Sequence, residues 1–465
     1  MGLADTIYAR LPVWAQHLAV TAYGVGWYRK RFGPVYDEAV RLFRAQESWD
    51  ASRRESWVQA RLREQLTAAA DKVPYYAEAW SEGHKEAARE GRLDALPLLD
   101  KHDLRGHETA FLRADLKPRR PLVFHTSGSS GTPIATHWTL DEHRRAIALR
   151  EARSAAWAGV SFADPRATFS GRLVVPDPHS RGPFHRFNWV EKQVYFSAFH
   201  LSGAHAASYV QALHRHATVW TTGYAVSFYL LAEHMLEQGL APPPSLRAVI
   251  TTSEKVTAEM RRVMEEAYRC PVFEEYSTVE NISFASACEN GRLHVSPEAG
   301  IVEILRPDGT PCDPGEPGEV VATGLLRAYQ PLIRFRLGDE AMWDDAPCPC
   351  GRSLPVLKEV IGRLEEVVTG PDGRRLVRFH GIFVDLPAVR EGQIVQEALD
   401  HIRVKVVPSA SWTGDAVTEI QARVRQRLGH GVRVDVERVP HIPRTAAGKF
   451  RAVISKIGGR RTGQD

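Results

Sequence analysis

The stretch HTSGSSGTP, His125 to Pro133, packs three serines, two glycines and two threonines into nine residues. Backbone N–H groups of such a run can turn inward as a concave anion site, and its hydroxyls add further donors. Phosphate is the ligand that suits this chemistry. A solvated surface loop has the same composition, so the run does not decide the matter by itself. It lacks the lysine of the G-x-x-x-x-G-K-[ST] phosphate loop, and G-x-G-x-x-G does not fit it either. A kinase-type phosphate loop is therefore not expected.

A second group is rich in sulfur. Cys288 and His294 form C-x5-H, and Cys348 and Cys350 form C-x-C with Gly351 next. Three thiolates and an imidazole make a tetrahedral donor set for zinc, and four protein ligands leave no open position for a substrate. Structural zinc is expected, clipping two turns between strands; the alternative is incidental thiols, as Cys270 and Cys312 are read. Five cysteines, an odd number, suit a reducing cytoplasm rather than a disulfide framework.

The elements that position these groups follow from periodicity. Residues 1 to about 100 read as helical: WVQARLREQLTAAADKV sets Trp57, Leu62, Leu66 and Ala70 on one face, and LPLLDKHDLRGH reads as a turn and a helix start. From about 120 to 340, apolar runs such as RAVITTSE and RCPVFEEYSTVE read as strands ending in polar turns, with LHVSPEAGIVEIL and GEVVATGLL as further strands. This is an α/β body with some antiparallel sheet. Over the last hundred residues, HIRVKVV and VRVDVERV read as strands. DAVTEIQARVRQRL reads as a helix with Val417, Ile420, Val424 and Leu428 inward, and PHIPRTAAGKFRAVISKI as a loop running into a helix. A small α+β unit is expected from this pattern. The expected division is 1–361 and 362–465, with the joint near GRLEEVV.

Bulk properties set limits. The 465 residues, 43% hydrophobic and 25% charged, exceed one simple core. A net charge of +4, with basic residues scattered along helix faces, does not indicate a nucleic-acid partner. The start, MGLADTIYAR, lacks a secretory pattern. LPVWAQHLAVTAYGVGWY is uncharged but poor in leucine and isoleucine. It reads as a buried or interfacial helix, so a membrane is not the expected main partner and a cytoplasmic location is.

Five segments now fall in order: TSGSSGTP (126–133), EYSTVE (275–280), RFRLGD (334–339), GRLEE (362–366) and PRTAAGK (443–449). This set resembles the adenylate-forming ligases, and LPLLDKHDLR and CPCGRSLP resemble in style the phenylacetate–CoA ligase family, especially its shorter capsular-polysaccharide-type members. The resemblance implies a large N-terminal α/β domain, a small mobile α+β C-terminal domain, and ATP and Mg²⁺ as reactants. It implies that Thr126, Ser127, Gly128, Ser129, Ser130, Gly131 and Thr132 cradle the β- and γ-phosphates and that Glu280 holds Mg²⁺, a hard cation suited to carboxylate. Ser253, Glu254, Glu275, Tyr276 and Ser277 would line the nucleotide pocket, with Tyr276 stacked on adenine. Asp339 and Arg363 would take the ribose, and Lys449 would reach the α-phosphate as a flexible point charge. Glu365 falls at the hinge position, and Gly381 would let backbone pass close to an acceptor. Zinc sites like the Cys/His set also occur in some members.

Two positions depart from the family. Ser277 stands where Tyr-Gly-x-x-Glu has glycine, and Leu337 where Thr-Gly-Asp has threonine; neither removes a charged group, so an active enzyme is expected. For the acid pocket, Phe196, His200 and Tyr224 are the candidates, with core packing the alternative for each. Arg172 and Arg186 either face a polar or acidic substrate or are solvated. The resulting reading is an ATP-dependent ligase that forms an acyl-AMP from a small carboxylic acid and passes the acyl group to a thiol, coenzyme A. Open alternatives are transfer to an amine, a non-catalytic nucleotide-binding scaffold, and a membrane-associated assembly factor; oligomeric state is left open.

Overall fold

The computed structural model describes residues 3–126, 134–170, 172–177, 180–361, 368–373, 375–376, 379–383, 386, 388–409, 411–440, 442 and 452–457. The N-terminal region is helical: α1 (Leu3–Arg10), α2 (Val13–Arg31), α3 (Pro34–Glu47), α4 (Ala51–Lys72), α5 (Pro74–Ala79) and α6 (Glu82–Glu90). Asp50 caps α4 by accepting from the Arg53 N–H at 2.8 Å, satisfying a donor that a helix start leaves unpaired. Leu62, Leu66, Ala69 and Ala70 on its inner face are buried. The short α7 (Lys101–Leu104) begins in a reciprocal capping box between Asp100 and Asp103, so LPLLDKHDLRGH forms the expected turn and helix.

The hairpin β1 (Leu122–His125) and β2 (Ala135–Trp138) carries the Gly/Ser/Thr run at its tip. It leads into α8 (Leu140–Arg150), which has a Thr139–Glu142 capping box and continues as a π-turn over Glu151–Ala155.

The main sheet has twelve strands. In chain order these are β3 (Arg166–Ser170), β4 (His185–Asn188), β5 (Gln193–Ser197), β6 (Trp220–Tyr224), β7 (Ala248–Thr252), β8 (Val272–Ser277), β9 (Phe284–Ala287), β10 (Leu293–Val295), β11 (Gly300–Leu305), β12 (Gly318–Gly324), β13 (Phe335–Asp344) and β14 (Val356–Val360). In space they run β11-β12-β13-β14-β10-β9-β8-β7-β6-β3-β5-β4. The segment β8-β7-β6-β3-β5 is parallel. Strands β5 and β7 are buried along their whole length, as parallel strands covered on both faces must be. The helices α9 (Ala206–Arg215), α10 (Ala225–Gln238) and α11 (Ala258–Tyr268) supply that cover through Tyr209, Phe228, Met264 and Tyr268. Strand order turns about β3, which has β5 on one side and β6 on the other. Open α/β sheets bind ligands at the carboxyl ends of strands around such a reversal.

Beyond the main sheet come the small hairpin β15 (Val368–Thr369) and β16 (Arg375–Leu376), then β17 (Val389–Ala398), β18 (His401–Pro408), α12 (Asp415–Leu428), β19 (Arg433–Arg438) and β20 (Val453–Ser455). The last four strands form a sheet of order β19-β18-β17-β20, and Ile420, Val424 and Leu428 of α12 pack into its core. One expectation fails here. The described end of PHIPRTAAGKFRAVISKI is strand, not helix: Val453–Ser455 pair in parallel with Ile394–Gln396. The β-branched Val453 and Ile454 suit that edge, and the pairing partner lies some sixty positions away, outside any local pattern.

Three histidines inside this frame are held neutral. Burial, helped by nearby cations, pushes His143 and His185 down to about 3, and burial pushes His216 to about 4. The unfolded chain binds these protons near pH 6.5, so native stability falls as pH drops from there toward 4. Each such group contributes a slope of up to about 1.4 kcal/mol per pH unit. Urea unfolding of the wild type should lose stability over this range, and His185→Gln should flatten the slope by one group's share. An unchanged slope would show that His185 takes up its proton in the folded state.

Candidate active site

Strand β8 delivers Glu275, Tyr276 and Ser277 in succession, and the turn that follows returns Glu280, which is buried. The turn closes through Asn281 at φ 50°. One cleft of about 870 Å³ is bordered by Thr126, Ser253, Glu254, Glu275, Tyr276, Ser277, Glu280 and Asp339. These come from four separated sequence segments. Ser127, Gly128, Ser129, Ser130, Gly131, Thr132, Arg363, Glu365 and Lys449 lie outside the described residues. Gly381 sits in a 3-10 turn, Phe379–Phe383.

Thr126 closes the neck of the β1–β2 connection. Its N–H donates to Ile134 O at 3.1 Å, and its Oγ1 accepts from the Ile134 N–H at 3.0 Å. Loop departure and return are thus pinned to one point on the cleft rim. Across the cleft, the Tyr276 hydroxyl donates to Asp339 Oδ2 at 3.0 Å. Burial, then the Asp339 carboxylate, raises the Tyr276 pKa well above its ordinary value, so the phenol stays a donor and fixes the carboxylate. Beside it, Lys101 Nζ donates to Leu337 O at 2.7 Å. Ser253 turns the chain off β7 with φ 71°, a conformation that non-glycine residues hold only under tertiary constraint. Glu254 Oε2 then accepts the Val226 N–H at 2.8 Å, placing a carboxylate at the positive N-terminus of α10.

A second cavity of about 230 Å³ adjoins the first and shares Arg150, Thr252 and Glu275 with it. It opens at the carboxyl ends of β3, β6 and β7, where the strand order turns. Phe162, Phe169, Tyr195 and Trp220 give it aromatic walls, and Tyr224 lies on its border. Gly223 holds φ 138°, and a Cβ there would meet Phe169 O at 2.0 Å, so glycine alone lets β6 approach β3 this closely. The shared wall is an ion pair that sequence reasoning missed. Glu275 accepts from Arg150 Nε at 3.1 Å and Nη2 at 2.6 Å, and from Ser154 Oγ at 2.8 Å. Arg150 and Ser154 reach it because α8 passes into the π-turn, which re-aims side chains by one position. No sequence motif marks that turn.

Two expected pocket residues are elsewhere. Phe196 packs against Phe169 and Tyr209 with ring centroids 5.0 and 5.2 Å away. His200 bridges Ser197 Oγ at 2.7 Å and Asp177 O at 2.8 Å. Both are core residues bordering neither cavity. Arg186 is buried as well, with its guanidinium on Gln16 and the carbonyls of Pro183 and His185, so it is neither solvated nor facing the cleft. Arg172 does border the second cavity.

On the far side of the main sheet, Cys288, His294, Cys348 and Cys350 converge, their donor atoms all within 4.8 Å of one another. Cys288 Sγ and Cys348 Sγ are 3.6 Å apart, and Cys350 Sγ and His294 Nε2 are 3.4 Å apart. A tetrahedral zinc requires S···S edges of about 3.8 Å and S···N edges of about 3.6 Å. His294 Nδ1 lies 3.2 Å from Leu354 O, the outer bond that leaves Nε2 as the ligating nitrogen. The donor set fits the metal.

Comparison with known proteins follows this geometry. The model of the CapK C-terminal domain matches residues 369–456. Protein CapK of Staphylococcus aureus is 23% identical over 468 residues, covering 98% of this chain and all of that protein. A phenylacetate-coenzyme A ligase of Thermus thermophilus is 24% identical over 444 residues, covering 85% of this chain and 94% of that one. Among solved structures, 2-hydroxyisobutyryl-CoA ligase with 2-HIB-AMP and CoA in the thioesterification state shares 22% identity with a TM-score of 0.59, covering 88% and 92% of the two chains. Its postadenylation state gives 24% and 0.55. The chain has the fold of 2-hydroxyisobutyryl-CoA ligase and is similar over most of its length to CapK and to a phenylacetate-coenzyme A ligase.

Within this fold the cleft depends on Arg327, a fully buried guanidinium. Its Nη1 donates to Glu280 O at 2.8 Å, and its Nη2 donates to Gln330 Oε1 at 3.0 Å and to His137 O. The guanidinium also lies 4.4 Å from the Trp138 ring centroid. Arg327→Met would leave two carbonyls without this donor, costing about 3 kcal/mol, read as a shift in the denaturant midpoint. Arg327→Lys should fall between Met and wild type, since it keeps the charge but loses the fork. Equal stability of all three would remove the hub role.

Proposed function

We propose that the chain is an ATP-dependent carboxylate ligase that forms an acyl-adenylate and transfers the acyl group to coenzyme A. The observation that carries the reading is the pair of adjoining cavities with a common wall at Arg150 and Glu275. The larger holds the residue types a nucleotide needs. The smaller is sized for a small acid and walled by aromatics. A carboxylate seated in it would bring its oxygen to the junction, beside the Arg150 guanidinium, where an α-phosphate in the larger cleft would lie.

In the first step that carboxylate oxygen attacks the α-phosphorus and pyrophosphate leaves. In the second, a thiolate attacks the acyl carbon and AMP leaves. Such chemistry is mostly positioning and charge neutralisation. Tyr276 and Asp339 hold the nucleoside end, Thr126 and its loop the phosphates, and Lys449 the α-phosphate. Glu280 would hold Mg²⁺, which neutralises phosphate charge when bound. The relatives named for CoA ligation support the thiol as acceptor.

Arg172 narrows the substrate class. It is exposed at the mouth of the second cavity, with its guanidinium 5.8 Å from the Tyr23 and Tyr195 ring centroids. Acids with an anionic or polar far end suit that mouth. The cysteine and histidine cluster, in the same proposal, holds structural zinc that clips the β9–β10 turn to the segment before β14.

Incubation with ATP, Mg²⁺ and a panel of aryl, aliphatic and dicarboxylic acids, with and without CoA, tests the reaction by mass spectrometry. Acyl-CoA with AMP is the expected product, abolished in Lys449→Ala. Product formed only with an added amine would replace the thiol acceptor. Arg172→Ala should raise KM about tenfold for acids with a second anionic group, an ion-pair loss of about 1.4 kcal/mol, and leave kcat unchanged.

Metal analysis should find one zinc per chain. Cys348→Ser should lose it and lower the thermal midpoint by several degrees, because metal binding is folding free energy. A zinc-free wild type of unchanged stability after chelation would overturn the zinc site.

A further inference from the structure

Helix α2 turns hydrogen-bonding side chains as well as the apolar Val20 and Trp27 toward the protein. Gln16 Nε2 donates to Tyr8 O at 3.0 Å and its Oε1 accepts from Arg186 Nε at 2.6 Å. His17 Nδ1 accepts the Phe187 N–H at 2.8 Å, and Thr21 Oγ1 accepts the Trp189 N–H at 3.3 Å. Gly24 sits so close to Asn188 that a Cβ would lie 2.3 Å from Nδ2. These contacts fix the rotation of the helix, and the rotation they fix presents Trp14 and Leu18 to solvent. Trp14 is 67% exposed and Leu18 54%, one turn apart, with Ile7 of α1 also 54% exposed. Trp189, 53% exposed, extends the patch from the β4–β5 turn, its ring 5.8 Å from that of His17.

The charge around this patch is of one sign. Residues 7 to 36 contain no Asp or Glu, while Arg10, Arg29, Lys30 and Arg31 lie at the two ends of the helix. Arg31 is paired with Glu191; Arg10 and Arg29 are exposed. No described helix is long and apolar enough to cross a bilayer. A helix of about 28 Å without acidic residues, with Trp14 and Leu18 outward and basic residues at its ends, has the chemistry of a helix lying in a bilayer interface, with Trp at headgroup depth and arginines on lipid phosphates.

We propose that the α1–α2 face and Trp189 form a docking surface for an anionic membrane, which holds the chain flat against the bilayer without spanning it. Charge argues against a second copy as the occupant, because a two-fold contact would press two copies of the basic, acid-free stretch 7–36 together. The proposal is independent of which acid and acceptor the cleft takes.

The test is co-sedimentation of the full-length protein with extruded vesicles of phosphatidylcholine, with and without phosphatidylglycerol. Binding is expected with phosphatidylglycerol, falling as salt is raised. Trp14→Glu and Leu18→Glu should each weaken it about tenfold or more. Both side chains are exposed, so circular-dichroism melts should match wild type and separate lost docking from lost folding. Arg29→Glu should weaken binding to anionic vesicles alone. No binding to anionic vesicles, or variants that bind like wild type, would overturn the proposal. So would a wild-type dimer in light scattering that Trp14→Glu dissociates, since the face would then be a homotypic interface.

Discussion

Everything in the cleft rests on a cation that never meets solvent. Arg327 holds the carbonyl of Glu280, the carbonyl of His137 in the β1–β2 hairpin, and Gln330, which itself accepts the His137 N–H at 2.9 Å. Burial lowers its pKa to about 10, which keeps it charged at neutral pH. A buried guanidinium is tolerable only where its donors are matched by oriented acceptors, and here the acceptors are the backbone of the elements that must be held. Gln65 of α4 donates to the Arg327 carbonyl at 2.6 Å, so the N-terminal helices brace the hub from behind. The backbone at Glu280 and the β1–β2 hairpin are thus held together through one side chain.

The second constraint is topological. Parallel strands that turn about β3 open a crevice at their carboxyl ends, and two cavities occupy it, separated by one side-chain pair. Arg150 and Glu275 neutralise each other across the wall between the cavities, with Ser154 completing the acceptor set of Glu275. Ser154 in turn contacts Ser286 at 2.7 Å, tying the wall to the antiparallel strands. Packing on either side is fixed by close approach: Gly223 against β3, and Phe169 and Phe196 in the core beneath. The second cavity is thereby shaped by backbone contacts as much as by the side chains lining it.

The sulfur cluster shows how sheet register makes a site. His294 stands opposite Val356 and Ser286 in the register of β10 with its neighbours. The turns bearing Cys288 and the Cys348–Cys350 pair therefore meet at the same sheet end. Trp157 closes over it, its ring edge-on to His294 at 5.9 Å and under the Arg352 guanidinium at 4.5 Å. Three elements distant in the chain become one compact unit at a place where the antiparallel strands are short.

Legibility followed range. Short segments with distinctive composition meet around two places: Thr126, the Tyr276–Glu280 turn and Asp339 border one cleft, and Cys288, His294, Cys348 and Cys350 converge. Helices with strong periodicity, such as α4 and α12, were readable for the same reason, since burial of one face is written locally. Failures were of long range. Phe196 and His200 were chosen as aromatic and polar groups in a suggestive stretch, but parallel pairing with β3 turns that stretch into core. Val453–Ser455 were read as helix because the partner strand lies far upstream. Arg150 and Arg327 carry no local signal at all; their roles exist only where burial brings them to acceptors from other elements. The acid-free N-terminal helix is the clearest division. Its sequence determined that it is apolar and basic at its ends, but which side faces water was decided by hydrogen bonds from Gln16, His17 and Thr21 to a strand more than 160 positions away.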